Sequence, residues 1–338
     1  MEKVRIAQIG IGHDHAKEIF PALCGLTDYF EVVGYALPEC EKENPAFQKH
    51  IQKAFAGHRE MTVEEIMQDP TITAVAIETE EVNLSKYALL AARNGKHIHM
   101  DKPGGIELAE FEELIRTAKE NRIVLHLGYM YRYNPCIRKL LEQVKNGELG
   151  EINSVEAHMG CYHGTAKRQW LDRFPGGMMF FLGSHLVDLI VQLQGIPKQI
   201  TAFNKPSGID GTTSEDCGFA VLEYENGVSF VKTSAAEMGG FSRRQLVVNG
   251  SKGSVRLMPL EMVWSEEDRL NLYTDVTEYQ DTGWFSKGDT HRSEAYDRYN
   301  AMMTAFAKMA AGETENPYTY DYELAVYKLL LQCCGCKL

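Results

Sequence analysis

The stretch KHIHMDKPGG, residues 96–105, places a lysine where it could act on a ligand. Its first half is predicted to form a buried strand, and Asp101, Lys102 and Pro103 follow at the strand's carboxyl end. In an open parallel sheet, ligands bind just outside the carboxyl ends of the strands. A lysine held there can donate a hydrogen bond to a substrate oxygen and assist proton movement. Lys102 is therefore a candidate catalytic residue; the alternative is an ordinary surface lysine.

A loop with two glycines follows the first predicted strand, in AQIGIGHDHAKEI. Gly10 and Gly12 match the first two glycines of the dinucleotide fingerprint, which allow a tight turn and close approach of the backbone to a pyrophosphate. The third glycine is missing, and His15 takes its place or the loop is shortened. N–H groups at the start of the next helix would hold the phosphates. We predict a dinucleotide site that includes Gly10, Gly12 and His13; the alternative is a tight turn in another kind of doubly wound protein.

The end of the second predicted strand, GYALPECE, bears on the choice of cofactor. An acid there would bind the adenosine ribose of NAD, whereas an arginine would accommodate the 2′-phosphate of NADP. Leu37 occupies the acid position, and Glu39 is the nearest candidate. The cofactor is therefore predicted to be NAD or NADP, with NAD preferred.

The elements that must position these residues alternate between strand and helix. Thr62 and Glu65 form a capping box before one helix, and Gly95 ends another. The strands read as short, nearly continuous apolar runs, as expected for a parallel sheet covered on both faces. We predict an α/β Rossmann-type, doubly wound parallel sheet. Its predicted strands are 3–10, 30–37, 73–79, 96–101 and 123–129.

The pattern changes after residue 129. Asn134 and Pro135 begin a helix, and strand-like runs then alternate with turns. Asn226-Gly227 and Asn249-Gly250 are hairpin signals. We predict a C-terminal α+β domain with a large, mostly antiparallel open sheet. The domains are placed at 1–125, for dinucleotide binding, and 126–338, for substrate binding and oligomerisation, and the last helix is allowed to pack back on the first domain.

Composition and charge restrict the partners. The formal net charge of −12 argues against nucleic acid or an anionic membrane, which are bound by clustered Lys and Arg. The start shows no signal-peptide pattern, and the longest apolar run is interrupted by polar residues, so we expect a cytoplasmic protein. The eight cysteines are expected to be reduced thiols. Cys333, Cys334 and Cys336 lack a visible fourth ligand for zinc, and no metal site is predicted.

Several linked motifs resemble the glucose–fructose oxidoreductase and inositol dehydrogenase family, also called Gfo/Idh/MocA. The resemblance covers nearly the whole chain in order. It is carried by the Gly-x-Gly turn and by NGKHIHMDKPGG, GYMYRYNP, GELGEINSVEAHM, GGMMFFLGSHLVDLIVQL and LVVNGSKGSVRL. It implies a nucleotide-binding domain followed by an α/β domain whose open sheet is often used for dimer contacts.

The resemblance also implies roles for residues near the cofactor. Lys102 would be the substrate-orienting catalytic lysine, and Asp101 would replace the glutamate of the family's Glu-Lys-Pro signature. Both are assigned to the cofactor site, as is Thr79, which matches the family's Thr-Pro-Asn motif. The chain departs from that motif in TEEVNL, where Leu84 replaces a histidine.

The family pattern implies that His185 takes or gives the hydroxyl proton. Its unperturbed pKa of about 6.5 suits that role. The aspartate that the family has four residues earlier is Phe181 here, and Asp188, one turn later, could orient the imidazole instead. The alternative for His185 is a core histidine.

Four residues are predicted to bind substrate: Tyr131, Arg132, Arg168 and Asp188. Tyr131 and Arg132 follow the fifth strand, and Arg168 lies in a cluster of charged and aromatic residues that suits a carboxylate or phosphate. A solvated charged loop is the alternative for that cluster.

We therefore expect an NAD(P)-dependent oxidoreductase that acts on a sugar, cyclitol or related polyol and forms a homodimer or homotetramer. Two alternatives remain open. One is an NAD-dependent glycoside hydrolase of the same family, and the other is a non-catalytic NAD(P)-binding regulator.

Overall fold

The computed structural model of the protein describes residues 2–265, 267 and 271–338. The chain divides into two compact units. The first comprises Met1–Tyr129 and Tyr299–Ala325, and the second comprises Met130–Arg298 and Val326–Leu338.

The first unit is built on strands and helices that alternate along the chain. Its strands are β1 (Val4–Ile9), β2 (Phe30–Ala36), β3 (Ala74–Ile77), β4 (His97–Met100) and β5 (Leu125–Leu127). Its helices before residue 129 are α1 (Ala16–Gly25), α2 (Glu39–Lys42), α3 (Pro45–Ala54), α4 (Val63–Gln68), α5 (Leu84–Arg93) and α6 (Leu108–Glu120).

The strands form a parallel sheet in the order β2-β1-β3-β4-β5, which confirms the predicted fold class. The order reverses between β1 and β3, so the carboxyl ends of these strands flank the crevice in which such sheets bind ligands. Central strand residues such as Ile6, Val75 and Ile98 are fully buried, as expected for a sheet covered on both faces. The glycine loop after β1 and the segment that begins with Asp101 after β4 both start at this edge.

Local sequence signals determine where several helices begin and end. Thr62 and Glu65 form the predicted capping box of α4, because each side chain accepts a hydrogen bond from the other residue's N–H. Gly95, just after α5, has a φ of +68°, in the left-handed region that favours glycine at a helix end. On α6, Phe111, Leu114, Ile115 and Ala118 are buried along one face.

The second unit begins with α7 and continues into a mainly β region. Its helices are α7 (Pro135–Lys145), α8 (Thr165–Trp170) and α9 (Ser184–Gln194). Its longer strands are β6 (Ile152–Gly160), β7 (Gln199–Ala202), β8 (Cys217–Glu223), β9 (Val228–Ser234), β10 (Gln245–Gly250) and β11 (Ser254–Leu257). The remaining strands are β12 (Met262–Val263), β13 (Asn271–Tyr273), β14 (Asp275–Tyr279), β15 (Asp289–Arg292) and β16 (Tyr296–Asp297).

The main sheet of this unit runs β15-β14-β11-β10-β6-β9-β8-β7, and β12, β13 and β16 form a small separate sheet. Strands β6 and β9 pair in parallel, whereas the other neighbours in the main sheet are antiparallel. The prediction of a large, mostly antiparallel sheet is therefore confirmed.

The two hairpin signals differ in outcome. Asn226 and Gly227 lie in the turn between β8 and β9, as predicted. Asn249 and Gly250 instead end strand β10, where the register against β6 shifts, and the turn to β11 comes after them. The prediction placed that turn too early, because an Asn-Gly pair also suits an irregular strand end.

The last two helices are α10 (Asn300–Ala310) and α11 (Tyr320–Cys333). Phe306 of α10 stacks on His126 with ring centroids 5.5 Å apart, so α10 belongs to the core of the first unit. Among the described residues, no helix has both the length and the apolar character needed to cross a membrane.

Candidate active site

The first glycine loop turns tightly at the end of β1. Gly10 has a φ of +91°, and a Cβ atom there would lie 2.6 Å from the Thr79 backbone nitrogen. A Cβ atom on Gly12 would lie 2.5 Å from both the Glu80 nitrogen and a Glu41 carboxylate oxygen. Both positions therefore require glycine, because a side chain would collide with the segment after β3.

A carboxylate lies at this loop. Oε2 of Glu41 accepts hydrogen bonds from the N–H groups of Ile11 (2.7 Å) and Gly12 (3.1 Å), and its Oε1 accepts from the N–H of Glu80 (2.9 Å). Three backbone N–H groups thus converge on one anionic group. Backbone N–H groups in a glycine-containing loop are the donors that hold phosphates in dinucleotide-binding folds. The loop therefore fits a pyrophosphate, with the Glu41 carboxylate as the stand-in anion.

The environment of Glu41 disfavours its charge. Burial raises the pKa of this carboxyl to about 7, although the N–H groups of Ile11 and Glu80 oppose the rise. Nearby Glu80 raises the pKa further through its own charge. Glu41 was not among the residues predicted from the sequence, where Glu39 was the nearest candidate acid. Glu41 could have been recognised in the sequence from its position in the short segment after β2.

Glu39 itself is exposed. It lies on the rim of a cavity of about 530 Å³ beside the end of β2, which is also lined by Leu37, Lys42, Tyr87 and Leu90. This cavity lies on the side of the glycine loop where the fingerprint predicts the adenosine of a dinucleotide.

Lys102 and Asp101 leave β4 at the same sheet edge, and both are buried. The Lys102 N–H donates to Oδ1 of Asp101 (2.7 Å). Oδ2 of Asp101 lies 3.1 Å from Nδ1 of His13 and 3.0 Å from Nδ1 of His15. The predicted cofactor residues Gly10, Gly12, His13, Thr79, Asp101 and Lys102 therefore lie together around the ends of β1, β3 and β4.

The buried carboxyl groups of Asp101 and Glu78 have pKa values that are shifted in opposite directions. Burial alone would raise the pKa of Asp101, but the charges and hydrogen bonds of His13 and His15 hold it well below the usual value. Burial and the neighbouring Asp101 charge raise the pKa of Glu78 well above the ordinary value for glutamate. For His13, burial lowers the pKa, but the Asp101 charge and hydrogen bond more than offset this and raise it. Asp101 is thus the ionised member of this group.

In the second unit, His185 lies on the buried helix α9. Its ring packs edge-on against Tyr131, with centroids 5.0 Å apart. Phe181 lies one turn earlier in a π-helical segment, Met179–Gly183, and packs against Trp170 with centroids 5.5 Å apart. The Lys167 ammonium lies 3.5 Å from the centre of the Trp170 ring and 4.9 Å from that of Phe181. An aromatic ring under a lysine thus lies where the resemblance implies an acid.

The predicted substrate-binding residues form hydrogen bonds with other residues of the second unit. Nε and a terminal nitrogen of Arg132 donate to the two oxygens of Asp188, at 3.0 Å and 2.8 Å. The Tyr131 hydroxyl donates to Glu261 (2.6 Å). Arg168 is fully buried and donates to Asp210 (2.5 Å). Their predicted substrate contacts remain predictions.

Two family models match the chain. The oxidoreductase family model with an NAD-binding Rossmann fold matches residues 4–129, and the GFO/IDH/MocA C-terminal domain matches residues 137–256. The chain belongs to the GFO/IDH/MocA oxidoreductase family. This membership confirms the resemblance that the sequence motifs indicated.

Similar proteins in this family include enzymes with named activities. An uncharacterized oxidoreductase of Schizosaccharomyces pombe is 28% identical over 280 residues, covering 80% of this chain and 74% of that protein. A trans-1,2-dihydrobenzene-1,2-diol dehydrogenase of Bos taurus is 26% identical, covering 70% and 68%. The NADP⁺-dependent scyllo-inositol 2-dehydrogenase of Bacillus subtilis is 28% identical over 142 residues, covering 41% and 40%.

Solved structures share the fold. The aldose-aldose oxidoreductase of Caulobacter crescentus has a TM-score of 0.79 at 18% identity and covers 100% of both chains. A 3-ketoreductase of Actinomadura kijaniata, solved with NADP, has a TM-score of 0.75 at 17% identity, covering 97% of this chain and 96% of that one.

Proposed function

We propose that the protein is an NAD(P)-dependent oxidoreductase that interconverts a hydroxyl and a carbonyl group on a sugar, cyclitol or related polyol. The observation that supports this most directly is the convergence of the glycine loop, Thr79 and Lys102 at one edge of the parallel sheet. Family membership supplies the reaction class, and the named dehydrogenases among the relatives support the substrate class.

The glycine loop is assigned to the cofactor. The N–H groups of Ile11 and Gly12 would hold the pyrophosphate once the Glu41 carboxylate has moved away, and the cavity at Glu39 would take the adenosine. When bound, the nicotinamide supplies the hydride-accepting or hydride-donating carbon. His13, Asp101 and Lys102 would lie nearest to it, because they follow the carboxyl ends of β1 and β4.

Lys102 is assigned to the substrate oxygen. Its backbone is held by Asp101, so the start of its side chain is fixed at the sheet edge. An ammonium group there stabilises negative charge that develops on the oxygen as the C–H bond breaks. His185 is assigned as the acid or base that exchanges the hydroxyl proton, with Tyr131 fixing the plane of its ring.

The test is a screen of polyols, aldoses and cyclitols with NAD⁺ and NADP⁺, followed by the absorbance of the reduced nicotinamide. On the best substrate, Lys102→Met is expected to lower kcat/KM by at least about 100-fold, because one positioned donor and proton-handling group is lost.

Lys96 is the matched control for Lys102. It lies at the opposite end of the same strand, is also buried, and donates to the carbonyl oxygens of Asp69 (2.6 Å) and Ile72 (2.8 Å). Lys96→Met should lower the melting temperature but leave kcat/KM nearly unchanged. Equal losses in both variants would show that Lys102 acts through stability alone. Glycoside cleavage without net cofactor reduction would instead identify the hydrolase alternative.

A further inference from the structure

Three potential metal ligands converge beside the glycine loop. Oδ2 of Asp101 lies 3.1 Å from Nδ1 of His13 and 3.0 Å from Nδ1 of His15. One ligand atom from each of the three residues lies within 4.8 Å of the others. His13 and Asp101 are buried, whereas the His15 side chain keeps 16% of its surface exposed, so the group can be reached from one side.

The hydrogen bonds of His13 indicate which ring nitrogen carries the proton. Nε2 lies 3.2 Å from the carbonyl oxygen of Lys102, which can only accept, so Nε2 is the donor. Nδ1 is approached by the backbone N–H of His15 at 3.2 Å and therefore acts as an acceptor. The lone pair of Nδ1 thus faces a carboxylate oxygen. Two acceptors at this distance repel one another unless a proton or a metal ion lies between them.

In metal sites, neighbouring groups hold the ligand side chains in position through hydrogen bonds, and His13 and Asp101 make similar contacts. Ligating histidines commonly donate their second ring N–H to a backbone carbonyl, as His13 does to Lys102, and ligating carboxylates are themselves hydrogen-bonded. Oδ1 of Asp101 accepts from the Lys102 N–H, whereas Oδ2 faces Nδ1 of His13 and Nδ1 of His15. An ion bound here would replace the hydrogen bond between Oδ2 and the His15 ring.

A buried carboxyl group lies beside the same histidine. Glu81 is 1% exposed, and one of its carboxylate oxygens lies 3.7 Å from Nε2 of His13. Within the described part of the chain, neither Glu81 oxygen has a hydrogen-bond partner. A buried carboxylate without such partners is costly unless positive charge lies nearby. His13 and Lys102 supply part of that charge, and a metal ion on His13 would add to it.

We propose that His13, His15 and Asp101 bind a divalent transition-metal ion of the zinc class. Two imidazoles and one carboxylate suit zinc, iron(II) or cobalt, whereas magnesium and calcium prefer oxygen ligands. The ion would bind the Nδ1 lone pair of His13. That lone pair otherwise accepts a long hydrogen bond (3.2 Å) from the His15 N–H. Three protein ligands leave a coordination position for water or a substrate oxygen, as in catalytic zinc sites.

The test is a titration of the purified chain with Zn²⁺ in competition with a chromophoric chelator, without nicotinamide cofactor. We expect one tight equivalent in the wild-type chain. His15→Gln should weaken zinc binding at least about tenfold, as should His13→Gln. His50→Gln is the control and should bind like wild type, because His50 is an exposed residue on α3, outside the cluster. Circular dichroism of each variant checks that it is folded.

Two outcomes would overturn the proposal. One is a wild-type chain that takes up no stoichiometric zinc, which would mean that a proton rather than a metal ion lies between His13 and Asp101. The other is a folded His15→Gln variant that binds zinc as tightly as wild type. Neither outcome bears on the oxidoreductase proposal, because the titration requires no nicotinamide and no substrate.

Discussion

At the scale of single residues, Glu41 is the most informative side chain in the first unit. Its carboxylate is bound by the backbone N–H groups of Ile11, Gly12 and Glu80, the first two of which the fingerprint assigns to phosphate. The Glu41 carboxyl group therefore occupies donors that a phosphate would use. This means that a dinucleotide has to displace Glu41 before its phosphates reach those donors.

The raised pKa of Glu41 predicts a pH-dependent stability. The pKa of about 7 in the folded chain lies above the ordinary value of 4.5, so the folded chain retains this proton more strongly than the unfolded chain. The resulting stabilisation is fully present below pH 4.5 and is lost as the pH rises to about 7, by up to about 3 kcal/mol.

Melting temperatures of wild type and Glu41→Gln, measured from pH 4.5 to 8, check this prediction. The wild type is expected to lose stability relative to the variant across that interval. Melting curves that stay parallel at every pH would contradict the raised pKa.

Residue-scale prediction worked where local chemistry is decisive and failed where contacts are distant in sequence. Gly10 and Gly12 could be recognised because a tight turn with close backbone approach requires glycine. The contact between Glu41 and the loop joins residues about thirty positions apart, and its geometry depends on how α2 leaves β2. Neither composition nor periodicity contains that information.

At the scale of elements, α2 links the end of β2 to the glycine loop through Glu41. Removing the side chain should make dinucleotide binding easier, because the N–H groups no longer need to be released and a negative charge near the pyrophosphate is lost. We expect Glu41→Ala to tighten NADH or NADPH binding by at least about fivefold.

Fluorescence titration of wild type, Glu41→Ala and Glu43→Ala measures this effect. Glu43 is exposed and lies at the end of the same helix, so its variant controls for a general change in charge. If Glu43→Ala tightens binding as much as Glu41→Ala, the effect is long-range electrostatics and not displacement from the loop.

An ion pair joins Asp188 of helix α9 to Arg132, and both residues are also predicted to bind substrate. Arg132 and Asp188 are each about 1% exposed and are joined by two hydrogen bonds. Losing one partner leaves the other charge buried, which typically costs about 3–5 kcal/mol. Arg132→Met and Asp188→Leu should therefore each lower the melting temperature strongly.

The double variant tests whether these charges stabilise the chain through each other. Arg132→Met with Asp188→Leu should lose less stability than the sum of the single changes, because no unpaired charge remains. Additive losses would mean that the pair is not coupled.

At the scale of the whole molecule, the sequence predicted the architecture well. Alternating apolar strands and capped helices indicated the parallel sheet, and the change of pattern after residue 129 indicated the mixed sheet of the second unit. The sequence analysis allowed the last helix to pack back on the first domain. It did not indicate that the whole of Tyr299–Ala325 belongs to the first unit, because the sequence pattern does not show which core a late helix joins. The homodimer or homotetramer remains a prediction that measured molecular mass would test.

The most direct test of the central claim is equilibrium binding of NADH and NADPH to the purified chain, followed by nicotinamide fluorescence. Any cofactor that co-purifies with the chain is removed first. We predict saturable binding of at least one of the two forms, with one site per chain. If neither form binds at millimolar concentration, in wild type or in Glu41→Ala, the glycine loop does not serve a dinucleotide and the proposed function is wrong.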